Sequence, residues 1–199
     1  TWMIKAFPFD CQIEIKVKEV SKGIFISTSE FSIEAFPLDH SIPTLGFRFV
    51  EKDKRRINTT AVKKLKIPEG PLLGTLQQNK PIIYNNQKIT PEETTYLVKG
   101  KTIGIIPDTR QCKNCLEIAK ETDVLICEAT YMETEKNKAA EYKHLTIKQA
   151  ALIAQTSNAK KLILTHFSQR YKEKASQEQE AKDIVPHAVM AFDGMKIEV

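Results

Sequence analysis

Thr102-Ile103-Gly104-Ile105-Ile106-Pro107-Asp108, Val124-Leu125-Ile126-Cys127-Glu128 and Leu162-Ile163-Leu164-Thr165-His166 are three short apolar runs, each closing on a residue that can bind a metal or move a proton. Short apolar runs of this kind read as strands, Thr102 to Ile106, Val124 to Cys127 and Leu162 to Leu164, with the second of them buried. Between them the spacing changes, and Cys112 to Thr122 and Thr146 to Thr156 carry apolar residues at helical intervals. Ala175 to Asp183 reads as a polar helix, with Val189 to Phe192 and Lys196 to Val199 as closing strands. Alternation of this kind predicts an α/β class, with helices packed on a sheet.

Consecutive strands ending in Asp108, Glu128 and His166 put those groups on one rim, where α/β proteins bind ligands. His144 lies in the loop before the Thr146 helix, and His40 lies between two strand patterns in Leu38-Asp39-His40-Ser41-Ile42-Pro43. Any one of these residues is more often a satisfied core or capping group, but several on one edge point to function. An Asp and a His without thiolates nearby favour a hydrolytic two-metal site over a structural zinc site. Asp39 either orients His40 or forms the turn.

Three sections follow one another. Residues 1–50 are β-rich, with Ile13/Ile15/Val17, Ile24/Ile26, Phe31/Ile33/Ala35 and Phe47/Phe49 alternating as antiparallel strands joined by turns such as Ser21-Lys22-Gly23. Residues 51–100 lose periodicity and are punctuated by Pro68, Gly70, Pro71, Gly74, Pro81 and Pro91, which predicts a long excursion with one short helix, Thr60 to Leu65, rather than a packed layer. Residues 101–199 form the α/β part. The opening Thr1-Trp2-Met3-Ile4 runs straight into a strand-like pattern, as expected of a chain that begins within a domain.

A length of 199 residues with 41% hydrophobic content suits one domain or a large piece of a bigger one. No apolar run approaches bilayer length and none near the start reads as a signal peptide, so no membrane partner is expected. Cys11, Cys112, Cys115 and Cys127 make no disulfide framework, which points to a reducing, cytoplasmic setting. Cys112-x-x-Cys115 has no second pair, and ordinary packing on one helix face explains it.

The net charge is +5, and residues 51–66 supply all of it: Lys52, Lys54, Arg55, Arg56, Lys63, Lys64 and Lys66 against Glu51 and Asp53. A local basic cluster on a neutral body suits a polyanion, although a solvated lysine-rich loop fits the same residues.

The block from His144-Leu145-Thr146-Ile147-Lys148-Gln149-Ala150-Ala151 to Leu162-Ile163-Leu164-Thr165-His166-Phe167-Ser168-Gln169-Arg170-Tyr171 resembles the end of the ribonuclease Z family. Pro107-Asp108-Thr109 stands where that family has Gly-Asp-Thr, Cys127-Glu128-Ala129-Thr130 where it has His-Glu-Ala-Thr, and Leu38-Asp39-His40 with Gly46-Phe47 where it has a histidine followed by Gly-Tyr. The resemblance implies the C-terminal part of a metallo-β-lactamase αβ/βα sandwich with a basic arm, acting as a zinc endonuclease that trims precursor tRNA at its 3′ end. His40, Asp108 and His166 would be metal ligands, with Asp108 bridging two zinc ions. Glu128 and His144 would pair to protonate the leaving 3′-oxygen, and Arg170 and Thr109 would meet the substrate. Lys52, Lys54, Arg55 and Arg56, with Gly70 and Pro71 near the arm's tip, would grip the tRNA. A homodimer is also implied.

Cys127, Leu145 and Pro107 depart from the family pattern but leave Glu128, His144 and Asp108 in place. The family's His-x-His-x-Asp-His motif does not occur in these residues, whose histidines are His40, His144, His166 and His187. Each metal would keep two of these ligands where zinc hydrolases use three, so the chain by itself is expected to bind zinc weakly, to cleave no RNA unaided, and to expose an apolar sheet face. Two alternatives keep part of this reading: another hydrolase of the same fold, or a non-catalytic RNA-binding or dimerising fragment.

Overall fold

The computed structural model describes residues 16–172 and 175–199. In chain order come β1 (Gly23–Ser27), β2 (Phe31–Leu38), β3 (Thr44–Glu51), β4 (Lys54–Ile57), α1 (Thr59–Lys64) and α2 (Pro71–Gln77). These lead into β5 (Ile82–Tyr84), β6 (Gln87–Ile89), α3 (Pro91–Thr94), β7 (Thr95–Val98), β8 (Thr102–Ile106) and α4 (Lys113–Ala119). The chain closes with β9 (Val124–Glu128), α5 (Lys136–Glu141), α6 (Ile147–Thr156), β10 (Leu162–Thr165), α7 (Ala175–Lys182) and β11 (Val189–Met190).

One seven-stranded sheet runs β1-β2-β3-β8-β9-β10-β11. It divides by direction: β1, β2, β3 and β8 pair antiparallel, and β8, β9, β10 and β11 pair parallel. The parallel strands β8 to β11 all come from residues 101–199, and the antiparallel strands that precede them, β1 to β3, from residues 23–51. Between parallel neighbours the crossovers are helical, as the geometry of parallel pairing demands.

Helices α4, α6 and α7 close the main core over one face, where Ile106, Leu125, Cys127, Leu162 and Leu164 meet Ile118, Ile147, Ile153 and Ala181. Helix α6 starts on a reciprocal cap: the Gln149 amide donates to the Thr146 hydroxyl at 3.1 Å, and the Thr146 amide donates to Gln149 Oε1 at 2.9 Å. Helix α4 lies close to the sheet because two strand positions have no side chain. A Cβ on Gly104 would stand 2.8 Å from the Ile118 carbonyl oxygen, and one on Gly46 2.5 Å from Ile118 Cδ1. The opposite face alternates with these positions and is apolar as well. There Phe25 meets Phe47 edge-on at 6.0 Å, Phe31 meets Phe49 at 5.2 Å, and Ile105 stays 38% exposed.

Residues 51–100 depart from expectation. The predicted helix is present as α1, but the segment is a folded lobe with its own core of Val62, Ile67, Leu76, Ile82 and Ile89, flanked by Ile57, Leu72, Leu73 and Tyr84. Each short element contributes only one or two of these residues, too few for any periodicity to register. The lobe is joined by the β4–β7 ladder and the β5–β6 hairpin, whose turn residues Asn85 and Asn86 both have positive φ, as a tight hairpin requires. Gly70 and Pro71 are exposed and open α2, with Gly70 as N-cap and Pro71 in the first turn.

Other differences are local. Ile13, Ile15 and Cys11, with the opening Thr1 to Ile4, lie outside the described residues, and Val17 is exposed and in no strand. Lys196 to Val199 forms no strand, because the chain turns at Gly194, with Met195 N bonded to Phe192 O, and leaves the sheet edge without a ladder partner. Cys112 is the N-cap of α4 rather than part of it, so its Sγ, 3.6 Å from that of Cys115, spans the helix start. Cys127 and Leu145, two of the family departures, are both fully buried in the core. No described helix is long and apolar enough to cross a membrane.

Candidate metal centre

The parallel register aligns the C-terminal ends of three strands. Ile106 pairs with Cys127, and Thr165 pairs with Glu128, so Asp108, Glu128 and His166 emerge on one rim. His40 reaches that rim from the β2–β3 turn. An isolated bridge fastens the turn there: Arg110 N donates to Asp39 O at 3.0 Å, and Asp39 N donates to Thr109 Oγ1 at 3.1 Å. His144 arrives from the loop between α5 and α6, where its amide bonds Ala139 O at 2.8 Å. The rim therefore gathers residues that are more than a hundred positions apart.

The three imidazoles form a row. Ring centroids are 4.9 Å apart for His40 and His144, and 5.3 Å apart for His144 and His166. His166 Nδ1 stands 3.3 Å from Asp108 Oδ1. Ligand atoms of His40, Asp108 and His144 all lie within 4.8 Å of one another, as do those of Glu128, His144 and His166. Imidazole and carboxylate donors at this spacing can hold a divalent metal ion. His40 Nδ1 lies 3.0 Å from the carbonyl of Lys143, which can only accept, so this nitrogen carries the proton and Nε2 keeps its lone pair for a metal. His166 sits at φ 58°, a left-handed conformation that costs energy for a non-glycine residue and is concentrated at functional sites.

Glu128 has no solvent exposure and accepts four hydrogen bonds. Oε1 receives Thr109 N at 2.9 Å and His144 Nδ1 at 2.9 Å; Oε2 receives the Thr130 hydroxyl at 2.7 Å and the Thr130 amide at 3.2 Å. A buried carboxylate is tolerable only with such saturation. Its hydrogen bond raises the pKa of His144 above the usual histidine value, against the burial that would lower it. Thr109, which the resemblance places among the substrate-binding residues, is fully buried, with its amide committed to Glu128 and its hydroxyl to Arg110 O and Asp39 N.

Asp39 is an orienting residue rather than a simple turn former. Its carboxylate takes Arg110 Nε at 2.6 Å and Lys143 Nζ at 3.1 Å, and the Lys143 and Arg110 hydrogen bonds hold its pKa below the ordinary carboxylate value. Lys143, whose own carbonyl orients His40, thus ties together the two loops that bring His40 and His144 side by side.

Arg170 stands at the edge of the rim. Its Nη1 pairs with Glu135 Oε1 at 2.7 Å, its Nε donates to Ser168 Oγ at 2.9 Å, and its guanidinium lies over the Tyr131 ring, 5.0 Å from the centroid. Glu135 also receives Lys138 and the Tyr171 hydroxyl, and its pKa is lowered to about 2, chiefly by the Lys138 and Tyr171 hydrogen bonds.

The basic cluster is divided by its surroundings. Lys54 pairs with Glu51 at 2.8 Å, Arg55 with Glu92 at 2.8 Å, and Lys52 donates to the Thr28 carbonyl. Arg56, Lys63, Lys64 and Lys66 are exposed on the lobe. Sequence reasoning passed over Thr130, Lys143 and Glu135. Thr130 could have been noticed as a hydroxyl two residues beyond a strand-end glutamate; the others have no local signal.

No family model matches this chain. Ribonuclease Z of Protochlamydia amoebophila is 38% identical over 182 residues, covering 91% of this chain and 59% of that protein. Ribonuclease Z of Nitrosopumilus maritimus is 36% identical over 198 residues, covering 98% of this chain and 66% of that protein. The chain therefore spans roughly three-fifths to two-thirds of the length of these relatives. The crystal structure of the short form of human tRNase Z superposes with a TM-score of 0.54 at 27% identity, covering 89% of this chain and 47% of that one. The metallo-β-lactamase fold protein YhfI of Bacillus subtilis superposes with a TM-score of 0.56 at 16% identity, covering 87% of this chain and 52% of that one, which speaks to the fold alone.

Proposed function

This chain belongs to the ribonuclease Z family, and we propose that its rim serves a zinc-dependent endonuclease that removes the 3′ trailer from precursor tRNA and leaves a 3′-hydroxyl on the tRNA. The observation that carries this reading is the Glu128–His144 pair, at 2.9 Å, set where two overlapping groups of ligand-type residues meet: His144 with His40 and Asp108, and His144 with Glu128 and His166, whose Nδ1 is 3.3 Å from Asp108. An acid–base pair abutting a metal-type donor set is what hydrolytic cleavage of a phosphodiester asks for.

His40, Asp108 and His166 would hold metal, with Asp108 between the two histidines' positions. A bound zinc pair supplies an ionised water as nucleophile and neutralises charge on the phosphate. His144 holds its Nδ1 proton against Glu128 and presents a protonated Nε2 to the leaving 3′-oxygen. The raised pKa of His144 keeps that second proton in place nearer neutral pH. Glu128 fixes the ring, since its own exchange with solvent is blocked by burial. Arg170, held over the Tyr131 ring, is available to a phosphate when it exchanges Glu135 for substrate.

The lobe of residues 51–100 would dock the body of the tRNA, with Arg56, Lys63, Lys64 and Lys66 as its exposed cations and Gly70 and Pro71 on its surface. Lys52, Lys54 and Arg55 serve this role less directly, because each already has an internal partner. Three ligands shared between two ions fall short of three per ion, so the reading requires donors in addition to the described residues. A homodimer, implied by the family resemblance, and a cytoplasmic setting, supported by the free thiols of Cys112, Cys115 and Cys127 among the described residues, belong to the same proposal.

The test is cleavage of a 3′-extended precursor tRNA by the full-length protein, stripped of metal and then reloaded with zinc. Cutting should need zinc and should fall away in Asp108→Ala. Undiminished cutting by that variant, or by the stripped protein, would overturn the reading.

A further inference from the structure

Thr130 has one hydroxyl proton and two close demands on it. Its Oγ1 lies 2.7 Å from Glu128 Oε2 and 2.8 Å from His166 Nδ1, with His144 Nδ1 farther away at 3.3 Å. Thr130 is buried, so its hydroxyl meets these partners rather than solvent. Glu128 meets donors at both oxygens, including the amides of Thr109 and Thr130, and is an acceptor throughout. The Thr130 proton therefore goes to Glu128, which leaves oxygen lone pairs facing His166. The other neighbour of His166 Nδ1 is the Asp108 carboxylate at 3.3 Å, again an acceptor. A nitrogen between two acceptors carries the hydrogen.

We propose that Thr130 is a positioning residue that links Glu128 to His166, holding His166 as the Nδ1–H tautomer so that its Nε2 lone pair is the metal-binding atom. One buried carboxylate would then orient both sides of the centre. It acts on His144 directly and on His166 through the Thr130 hydroxyl. His40 reaches the same tautomer separately, through the Lys143 carbonyl. The left-handed backbone at His166 is compatible with this ring setting, and the Thr130 contact opposes rotation of the ring away from it.

The inference rests on the proposed metal role of His166, and its test does not depend on cleavage. In the metal-free full-length protein at pH about 8, nitrogen chemical shifts of labelled histidine should report His166 as Nδ1–H in the wild type and in Thr130→Ser. Thr130→Val, which keeps the shape and removes the hydroxyl, should weaken that preference, leaving the more distant Asp108 carboxylate as acceptor, and its zinc affinity should fall about 10- to 100-fold, while Thr130→Ser stays near wild type. An Nε2–H signature for His166 in the wild type would overturn the inference, whether or not Thr130→Val folds. So would an unchanged tautomer and unchanged zinc affinity in a folded Thr130→Val. Failure of tRNA cleavage alongside the expected tautomers would instead remove the functional reading and leave the Thr130 link standing.

Discussion

Nδ1 of His144 lies 2.9 Å from Oε1 of Glu128, a carboxylate with no exposure to solvent. The pair joins the end of β9 to the loop before α6, and it sets the proton inventory of the rim. The hydrogen bond raises the pKa of His144, so the protonated form persists above the unfolded histidine value. The stability from this pairing is complete below the unfolded pKa and is lost as pH rises through the folded one. Glu128→Gln, which weakens the acceptor but keeps the shape, should move the high-pH fall of kcat for precursor tRNA to lower pH. It should also reduce kcat by about 10²–10⁴-fold, the usual contribution of a positioned proton donor. A pH–rate profile with an unmoved upper limb would remove Glu128 from control of His144.

Glu135 should behave in the opposite sense. Lys138, Tyr171 and Arg170 hold its pKa at about 2, so the hub they form is fully stabilising above the ordinary carboxylate pKa and weakens as pH falls below that value and through about 2. A carboxyl-carbon NMR titration should find Glu135 ionised well below the range of the exposed glutamates. Tyr171→Phe should raise its midpoint, and Arg170→Ala should raise it less, following the order of the hydrogen bonds.

Gly104 is a packing requirement of the sheet. Its Cβ would fall 2.8 Å from a backbone oxygen of α4, which cannot swing aside as a side chain can. Gly104→Ala should destabilise the fold by about 1–3 kcal/mol through overpacking. Denaturant melts would read this as a lowered midpoint with an unchanged slope. An unchanged midpoint would mean that α4 is free to shift.

The exposed cations of the lobe can be separated from the paired ones by salt. If Arg56, Lys63 and Lys64 touch phosphates, replacing all three by Ala should flatten the plot of log affinity against log salt by about one unit for each phosphate left without its cation. Replacing Lys54 and Arg55, which already pair with Glu51 and Glu92, should change the slope less. Equal slopes in all three proteins would place the RNA elsewhere.

Much of residues 101–199 was legible because its elements announce themselves locally. The apolar runs at Thr102–Ile106, Val124–Glu128 and Leu162–Thr165 are strands with parallel neighbours, the last two almost wholly buried, and Thr146 opens α6 with the cap its spacing with Gln149 suggests. The lobe core was not legible, since Leu76, Ile82 and Ile89 come one at a time from short elements. The burial of Thr109 was not legible for a related reason: which atoms its amide and hydroxyl meet depends on Asp39, Arg110 and Glu128, and these contacts form only in the fold.

By itself the sequence determined the α/β alternation and the strand-end positions of Asp108, Glu128 and His166, because burial of one face or two is written in the spacing of apolar residues. Only the tertiary structure decided what those residues do to one another. The parallel register brought Thr130 between Glu128 and His166, and the bridge at Asp39 and Arg110 carried His40 to His144 across more than a hundred residues. Hydrogen-bond donors and acceptors are assigned by distances of a few ångströms, and distances of that kind between remote segments exist only once the chain has folded.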